Sequence, residues 1–597
     1  MNQAPYLQLK SHVYAGGEVT NSDEYQLGKG SNTRESLRVS VATIRAVIVP
    51  ALLEALKTEP SNDIQSSCMV ALAKIGDPQG PAGGSAFVRE VQREIAKRLI
   101  SPSQELSETA AVALGISGHS ENIELLTAVL ENDLAKLRRL EVEQIDAVSV
   151  RTRAFAAYGL GLIGYQAPEY ERLVINASLR KLLEGEGRSM AHRDIPVACI
   201  TAIGLTALAI DERDSDPKNL EKAPGVMTSR QDQLRFLLSY FADENNYPLT
   251  RAQAPTAMGR LLSGVDDTAD FTLRSTVAKA LMQSISEHST DDNAIQQSAI
   301  LALGVIGDCD NDSLDGLIRT ALMRVKDTLA DQQSRRFALI ALGQSAGRPG
   351  HGTGDPIHGV NTRSSQENAR SYLLGELTRD KGPGRPWVGL ALAVLERSLD
   401  DAKQASSADA KLALRTCLTD ARSPDDLGAF SIACGVVGDH GAGDVLLKHL
   451  ANVRDVEARG FAAVALGLLH EKLALDPLKD LAKRSKYQAE LMRSAAIALG
   501  LLDDKQLVPD LIEMLSTATS LSSQAAIAKS LGTIGDSRSV TSLLALLRNS
   551  EATDLARAFG AVSLGIVADK EDLPWNTKIG VGSNYRANTT TLTDGKG

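Results

Sequence analysis

The 597-residue chain is poor in aromatic side chains, which make up 4% of it. Such a composition is expected where Ala, Leu and Gly form a thin core. No two of its five cysteines have Cys-x-x-Cys spacing; they are Cys68, Cys199, Cys309, Cys417 and Cys434. An odd, scattered set argues against a disulfide framework and favours a reducing compartment.

Long apolar runs are also absent. Residues 1–5 are polar and show no apolar segment of a signal peptide. No run approaches the roughly 18 apolar residues that a membrane span needs. We therefore expect a cytoplasmic protein with no membrane span, although a chain that had lost a signal peptide would look the same.

Basic clusters are nearly absent from a chain whose net charge is −10. Because phosphate contacts need clustered Lys and Arg, this charge argues against nucleic-acid binding. The exception, Lys136-Leu137-Arg138-Arg139, lies among acidic residues. We interpret it as a solvated helix face.

Catalytic and metal-binding motifs are missing as well. The sequence contains no Gly-x-Ser-x-Gly elbow, no His-Glu-x-x-His motif and no P-loop, and its nine histidines are scattered. The sequence thus identifies no catalytic residue, no metal site and no cofactor.

The chain does contain one short sequence motif, here called the phrase, which recurs from end to end. It consists of a small residue, an apolar residue, then Gly or Ala, and it is often followed by Gly-Asp. Ala302-Leu303-Gly304-Val305-Ile306-Gly307-Asp308 is an example. A phrase repeated at helical register marks a stacked array of short units. The central small residue occurs at Ala73, Gly115, Gly161, Gly204, Gly259, Gly304, Gly343, Ala393, Gly435, Gly467, Gly500, Gly532 and Gly565.

Each unit is predicted to be a helical hairpin. The phrase ends an Ala/Gly-rich helix, whose small residues allow close approach of neighbouring helices. The Gly after the phrase suits a left-handed helix stop, and the next Asp or Ser can cap the following helix. That helix is Leu-rich, as in Leu511-Ile512-Glu513-Met514-Leu515.

These features resemble the HEAT-repeat family, in particular the short HEAT-like repeats typified by phycobilin lyases. The resemblance implies an all-α fold, an α-solenoid of about 13 stacked hairpins over residues 36–570. It is most regular over 425–570, where the repeat period is 32–33 residues. An irregular arm over 1–35 and an irregular tail over 571–597 flank it, and Leu573, Trp575 and Tyr585 are candidates to cap the last hairpin.

The resemblance does not establish an activity, because the family includes scaffolds, transport factors, lyases and hydroxylases. HEAT-like di-iron hydroxylases need several His-Glu pairs, whereas this chain has one, His470-Glu471. Phycobilin lyases are usually shorter arrays that share only the repeat.

An arginine recurs seven or eight residues before the central small residue. In HEAT-like families a similar arginine pairs with acidic groups of neighbouring units, so a structural ladder is the favoured interpretation and a row of ligand-binding arginines is the alternative. The ladder candidates are Arg153, Arg251, Arg335 or Arg336, Arg459, Arg493 and Arg557.

Three insertions, at about 78–86, 212–228 and 347–365, follow Ala/Gly-rich helices and should project from one edge of the array. The third carries the candidate partner-binding residues Arg348, His351, Asp355 and His358. A solvent-exposed loop is the favoured interpretation of this segment, and contact with a partner and a metal site are the alternatives.

A second local motif, Asp308-Cys309-Asp310-Asn311-Asp312, resembles part of a calcium loop. It lacks the Gly and the distal Glu of such loops, so we interpret it as a capped turn.

The sequence favours a non-enzymatic protein–protein interaction scaffold with an extended curved binding surface. The alternative is a lyase-like or chaperone-like protein that holds a chromophore or a client polypeptide in a concave groove. The sequence does not identify the partner.

Overall fold

The computed structural model describes residues 39–76, 86–140, 147–185, 193–211, 226–263, 267–311, 313–350, 362–485, 487–502 and 507–568. All regular secondary structure in these ranges is helical, which confirms the predicted all-α class. The predicted N-terminal arm, C-terminal tail and capping residues Leu573, Trp575 and Tyr585 lie outside the described residues.

The helices up to the middle of the chain follow a short helical lead-in, Val41–Thr43 and the π-helix Ile44–Ile48. They are α1 Val49–Thr58, α2 Asn62–Ile75, α3 Ala86–Ala96, α4 Gln104–Ile116, α5 Asn122–Glu131, α6 Leu134–Arg139, α7 Val150–Gln166, α8 Glu169–Glu184, α9 Asp194–Leu205, α10 Arg230–Ala242, α11 Pro248–Arg251, α12 Gln253–Leu262, α13 Asp267–Ser284 and α14 Asn293–Ile306.

The remaining helices continue the same alternation to the end of the described chain. They are α15 Ser313–Thr328, α16 Gln332–Gly347, α17 Thr362–Arg379, α18 Arg385–Asp401, α19 Ala408–Asp420, α20 Pro424–Val436, α21 Gly443–Asn452, α22 Val456–Leu468, α23 Leu475–Arg484, α24 Ala489–Leu501, α25 Leu507–Thr517, α26 Leu521–Ile534, α27 Val540–Arg548 and α28 Asp554–Val567. Four 3-10 turns, Lys97–Ile100, His440–Ala442, Lys472–Ala474 and Ser537–Ser539, stand next to these helices.

All thirteen predicted small residues lie in helices, one in each Ala/Gly-rich helix. These helices are α2, α4, α7, α9, α12, α14, α16, α18, α20, α22, α24, α26 and α28. The predicted Leu-rich segments fall in the alternating helices, for example α21, α25 and α27. The predicted series of about 13 HEAT-like hairpins is therefore confirmed.

The chain divides into two compact units. Unit 1 combines the described parts of residues 1–117 and 414–582, and unit 2 contains those of 118–413. In unit 2 the Ala/Gly-rich helices pack in chain order from α7 to α18, in the manner of an α-solenoid. In unit 1 the order is α20, α22, α24, α26, α28, then α2 and α4, so the last hairpin packs against the first.

Glycine makes this stacking tight. A Cβ added at Gly467 in α22 would lie 2.7 Å from the Cα of Ala498 in α24, and one added at Gly304 would lie 2.7 Å from the Cα of Ala341. Real Cβ atoms do not approach so closely, so these positions exclude larger residues. In each case the glycine faces the small residue that stands two positions before the next central residue.

The turn chemistry follows the prediction at two repeats of unit 1. Gly438 and Gly535 have φ values of +64° and +72°, a region that residues with a Cβ rarely occupy. Asp439 and Asp536 then cap the next turn, because their carboxylates accept hydrogen bonds from the N–H of Gly441 and Arg538.

The predicted left-handed stop is wrong at Gly307, whose φ and ψ are −71° and 153°. Glycine is needed there for space. An added Cβ would lie 2.6 Å from Ser345 Oγ and 3.0 Å from Ile318 Cγ2. At this helix end the side chain of Arg348, from the next hairpin, donates to the last carbonyls of α14.

Within the described ranges, every helix is either too short or too polar to cross a lipid bilayer. All five cysteines are buried and free.

Candidate interaction surface

One flank of the Ala/Gly-rich helices in unit 1 remains partly exposed. Gly560, in the middle of α28, packs against the Leu543 carbonyl of α27, which shows where the Leu-rich helix of that hairpin lies. By helical periodicity, residues ten, six and three positions before the central residue, and one after it, lie on the opposite flank. In α28, Leu555, Phe559, Val562 and Ile566 occupy these positions and are half-buried or exposed, whereas the other residues over 556–567 are buried.

Of the four positions on each of seven helices, 28 in all, ten carry apolar side chains that are half-buried or exposed, and α20 and α26 contribute none of them. We call the set the apolar face; all its members are half-buried except Leu555, which is exposed. Its members are Val70 of α2, Ile116 of α4, Phe461 and Leu468 of α22, Ile497 and Leu501 of α24, and Leu555, Phe559, Val562 and Ile566 of α28. A contiguous apolar patch at a protein surface is typical of a binding site.

An acidic row borders the apolar face. The position ten residues before the central residue carries an acid in five of the seven stacked helices of unit 1: Asp63, Glu105, Asp425, Glu457 and Glu490. Each acid lies in a first helical turn, where it also interacts favourably with the helix dipole. The edge at the helix N-termini is therefore negatively charged.

A lysine interrupts the apolar face at α26. The pKa of Lys529 is lowered, first by burial and then by the neighbouring charge of Arg493, while Glu490 acts in the opposite direction. The side chain of Lys529 is exposed, so this position brings a cation to the surface of the face.

The ladder arginines make a shared set of contacts. At five of them Nε donates to a carbonyl at or just after the C-terminal end of the Leu-rich helix of the same hairpin. The pairs are Arg153 with Leu130 (2.8 Å), Arg251 with Phe241 (2.9 Å), Arg335 with Leu329 (2.8 Å), Arg459 with Leu450 (3.1 Å) and Arg557 with Leu547 (2.9 Å). Such bonds satisfy helix C-terminal carbonyls that have no partner within the helix.

Two of these arginines also form an ion pair with an acidic residue of the neighbouring repeat. Arg251 Nη2 lies 3.0 Å from Asp291 Oδ1, and Arg557 pairs with Glu59. Arg493 pairs with Glu490 of its own helix. Arg336 instead stacks on the ring of Trp387, with its Cζ 5.9 Å from the ring centroid.

In unit 2, Arg348 lies at the base of the third insertion. Its Nη2 donates to the Gly304 carbonyl at 3.1 Å, and its Nη1 donates to the carbonyls of Val305 and Gly307. Burial lowers the pKa of Arg348, while the carboxylate of Asp308 acts against that shift. The guanidinium is therefore engaged by the end of α14; His351, Asp355 and His358 lie outside the described residues.

The calcium-like segment takes part in the same cluster. Arg274 Nη2 lies 2.7 Å from Asp315 Oδ1 and 3.5 Å from Asp308 Oδ2. Arg319 Nη2 donates to the Asp310 carbonyl at 2.8 Å and to Ser365 Oγ at 3.0 Å, so both ends of the insertion are anchored here. The part of the chain that the structure describes contains no group of three His, Cys, Asp or Glu residues that could hold a metal ion.

Residues 484–564 match the HEAT repeats family, which confirms the predicted resemblance. A stretch of 62 residues is 50% identical to the bilin biosynthesis protein PecE of Nostoc sp. (strain PCC 7120 / SAG 25.82 / UTEX 2576). That stretch is 10% of this chain and spans about a quarter, 24%, of the relative.

Solved structures of two karyopherins are similar to this chain at low identity. The Kap95:Nup1 complex superposes with a TM-score of 0.42 and 12% identity over 88% of this chain and 69% of that chain. Kap121p bound to Nup53p gives a TM-score of 0.37 and 12% identity over 91% and 56%. Such small scores establish neither a common arrangement nor a common activity.

Proposed function

We propose that the protein is a non-enzymatic interaction scaffold that binds a partner protein along the apolar face of unit 1. The observation that carries this proposal is the recurrence of partly exposed apolar residues on one flank of five of the seven stacked helices of unit 1. A partner segment laid across them would bury apolar area on several repeats at once, and each repeat would contribute modestly.

The charge of the border indicates the chemistry of the partner. Since Asp63, Glu457 and Glu490 lie beside the apolar face, a matching segment carries apolar side chains together with Lys or Arg. Binding of such a segment should weaken as salt rises, because exposed charges are screened beyond about 8–10 Å at physiological ionic strength.

The first test is affinity purification of the tagged chain from its native cell, with mass spectrometry and an absorption scan of the eluate. We expect one abundant protein that is lost from the Phe559→Asp variant. The control is Leu473→Asp, because Leu473 is 72% exposed in the turn Lys472–Ala474 and lies away from the apolar face. Equal recovery by both variants contradicts the proposal.

A second candidate function is retention of a chromophore or a client polypeptide in a groove lined by the same face. The 62-residue likeness to a bilin biosynthesis protein favours this candidate. A coloured eluate without a stoichiometric protein partner would support it against the scaffold.

The insertion 347–365 is a second proposed region of partner contact, with Arg348, His351, Asp355 and His358 as its candidates. Replacement of residues 351–361 by a Gly/Ser linker of the same length keeps the anchored residues Arg348 and Ser365 and changes only the segment between them. Loss of the partner from this variant, with thermal stability unchanged, assigns a contact to the insertion; an undiminished partner removes it from the proposal.

A further inference from the structure

The contact between α28 and α2 joins the last described hairpin to the first; we call it the closing contact. A Cβ added at Gly565 in α28 would lie 2.7 Å from both the Cα and the Cβ of Ala71 in α2. Nothing but a small residue fits at either position.

The closing contact has the register of contacts between neighbouring repeats. Gly467 faces Ala498 and Gly435 faces Ala465, in each case two positions before the next central residue. Gly565 faces Ala71 two positions before Ala73 in the same way. The first hairpin thus takes the place of the next repeat after the last one.

The ion pair at the closing contact also matches one between neighbouring repeats. Arg557 donates from Nε to the Leu547 carbonyl and pairs through Nη2 with Glu59, which stands just before α2. In unit 2, Arg251 pairs with Asp291, which stands just before α14. The closing contact therefore contains both the steric and the electrostatic parts of a repeat interface.

One property sets the closing contact apart. Neighbouring Ala/Gly-rich helices of unit 1 have central residues 32 to 42 positions apart and are joined by a short connection, whereas Arg557 and Glu59 are separated by 498 positions. Neighbours that separate stay at high effective concentration through their short connection, and a pair joined only through a long chain does not.

We propose that the closing contact opens and closes as a unit, while the hairpins on both sides stay folded, and that it opens before the other contacts between Ala/Gly-rich helices of unit 1. Opening divides the apolar face between α28 and α2, and closing makes it continuous. This inference concerns the contact itself and holds whether or not the face binds a protein.

The test uses two matched cysteine pairs in the full chain. Asp63→Cys with Leu555→Cys places thiols on α2 and α28, ten residues before each central residue. Glu457→Cys with Glu490→Cys places them at the same register on α22 and α24. Since the five native cysteines are buried, a short bismaleimide will react first with the introduced pairs, and mass spectrometry identifies the linked peptides.

Without urea we expect both pairs to be linked within one chain. As urea rises, the 63–555 link should be lost first, while far-UV circular dichroism and the 457–490 link persist. Adding Arg557→Ala should shift the loss of the 63–555 link to lower urea and leave the 457–490 link in place. Simultaneous loss of both links, or a 63–555 link formed only between two chains, overturns the proposal.

Discussion

At the scale of single residues, the molecule depends on small side chains that meet in pairs. The central glycine of one helix contacts Ala or Ser two positions before the next central residue, as with Gly204 and Ala257 or Gly532 and Ser563. The interior there has no space for another methyl group, so side-chain volume at these positions decides whether neighbouring repeats can pack.

Two glycine variants test this dependence on side-chain volume. Gly467→Val should lower the free energy of unfolding by about 1–3 kcal/mol, because its side chain would overlap Ala498. Gly316→Ala is the control, since an added Cβ meets nothing within 4 Å in helix α15, and it should be neutral or stabilising by up to about 1 kcal/mol. Equal destabilisation in urea titrations contradicts the close approach.

Buried thiols provide a second residue-scale prediction. Desolvation raises the pKa of Cys68 and of Cys199 to about 12, from an ordinary value of 9.0. The folded chain therefore keeps thiol protons that the unfolded chain releases. This contribution to stability is complete below pH 9 and is lost as the pH rises toward 12.

We expect the free energy of unfolding to fall as pH rises above 9, and to fall less steeply in a variant with both Cys68→Ala and Cys199→Ala. Urea titrations at pH 8, 9 and 10 measure it. The same slope in the variant and the wild type would show that these thiols do not titrate differently on unfolding.

At the scale of elements, five of the hairpins share contacts that recur at fixed positions. The Leu-rich helix packs on one flank of the Ala/Gly-rich helix, and the arginine near the start of the latter binds the last carbonyls of the former. The same arginine position thus fixes the angle of the hairpin and occupies a helix end.

Arg153→Ala should therefore destabilise the protein by about 2 kcal/mol, since it removes a buried charged donor from the Leu130 carbonyl. Arg548→Ala, at an exposed position of α27, should change stability by less than about 0.5 kcal/mol. If thermal unfolding shows the two variants to be equally stable, the arginine does not hold the hairpin.

At the scale of the whole molecule, the sequence predicts the local order better than the order of contacts. The repeated phrase locates all thirteen Ala/Gly-rich helices, because spacing and small residues act within one hairpin. It carries no signal for the contact between Gly565 and Ala71, because the same phrase suits any neighbour. The left-handed stop fails at Gly307 because Arg348, more than 40 residues later, binds that helix end.

The candidate surface was harder to predict for a similar reason. The acids at Glu457 and Glu490 are visible in the sequence at one register, yet each is also explained by its own helix dipole. Phe461 and Phe559 look like core residues until the flank that faces the Leu-rich helix is known. The sequence pattern favours the insertions instead, because loops often carry function.

The most direct test of the scaffold account is titration of the partner, once purified, against the wild type and two matched variants of equal thermal stability. Because an aspartate would be placed among apolar contacts, Phe559→Asp should raise the dissociation constant at least about tenfold. Leu473→Asp should leave it unchanged. Unaltered affinity in Phe559→Asp would show that the partner does not bind the apolar face.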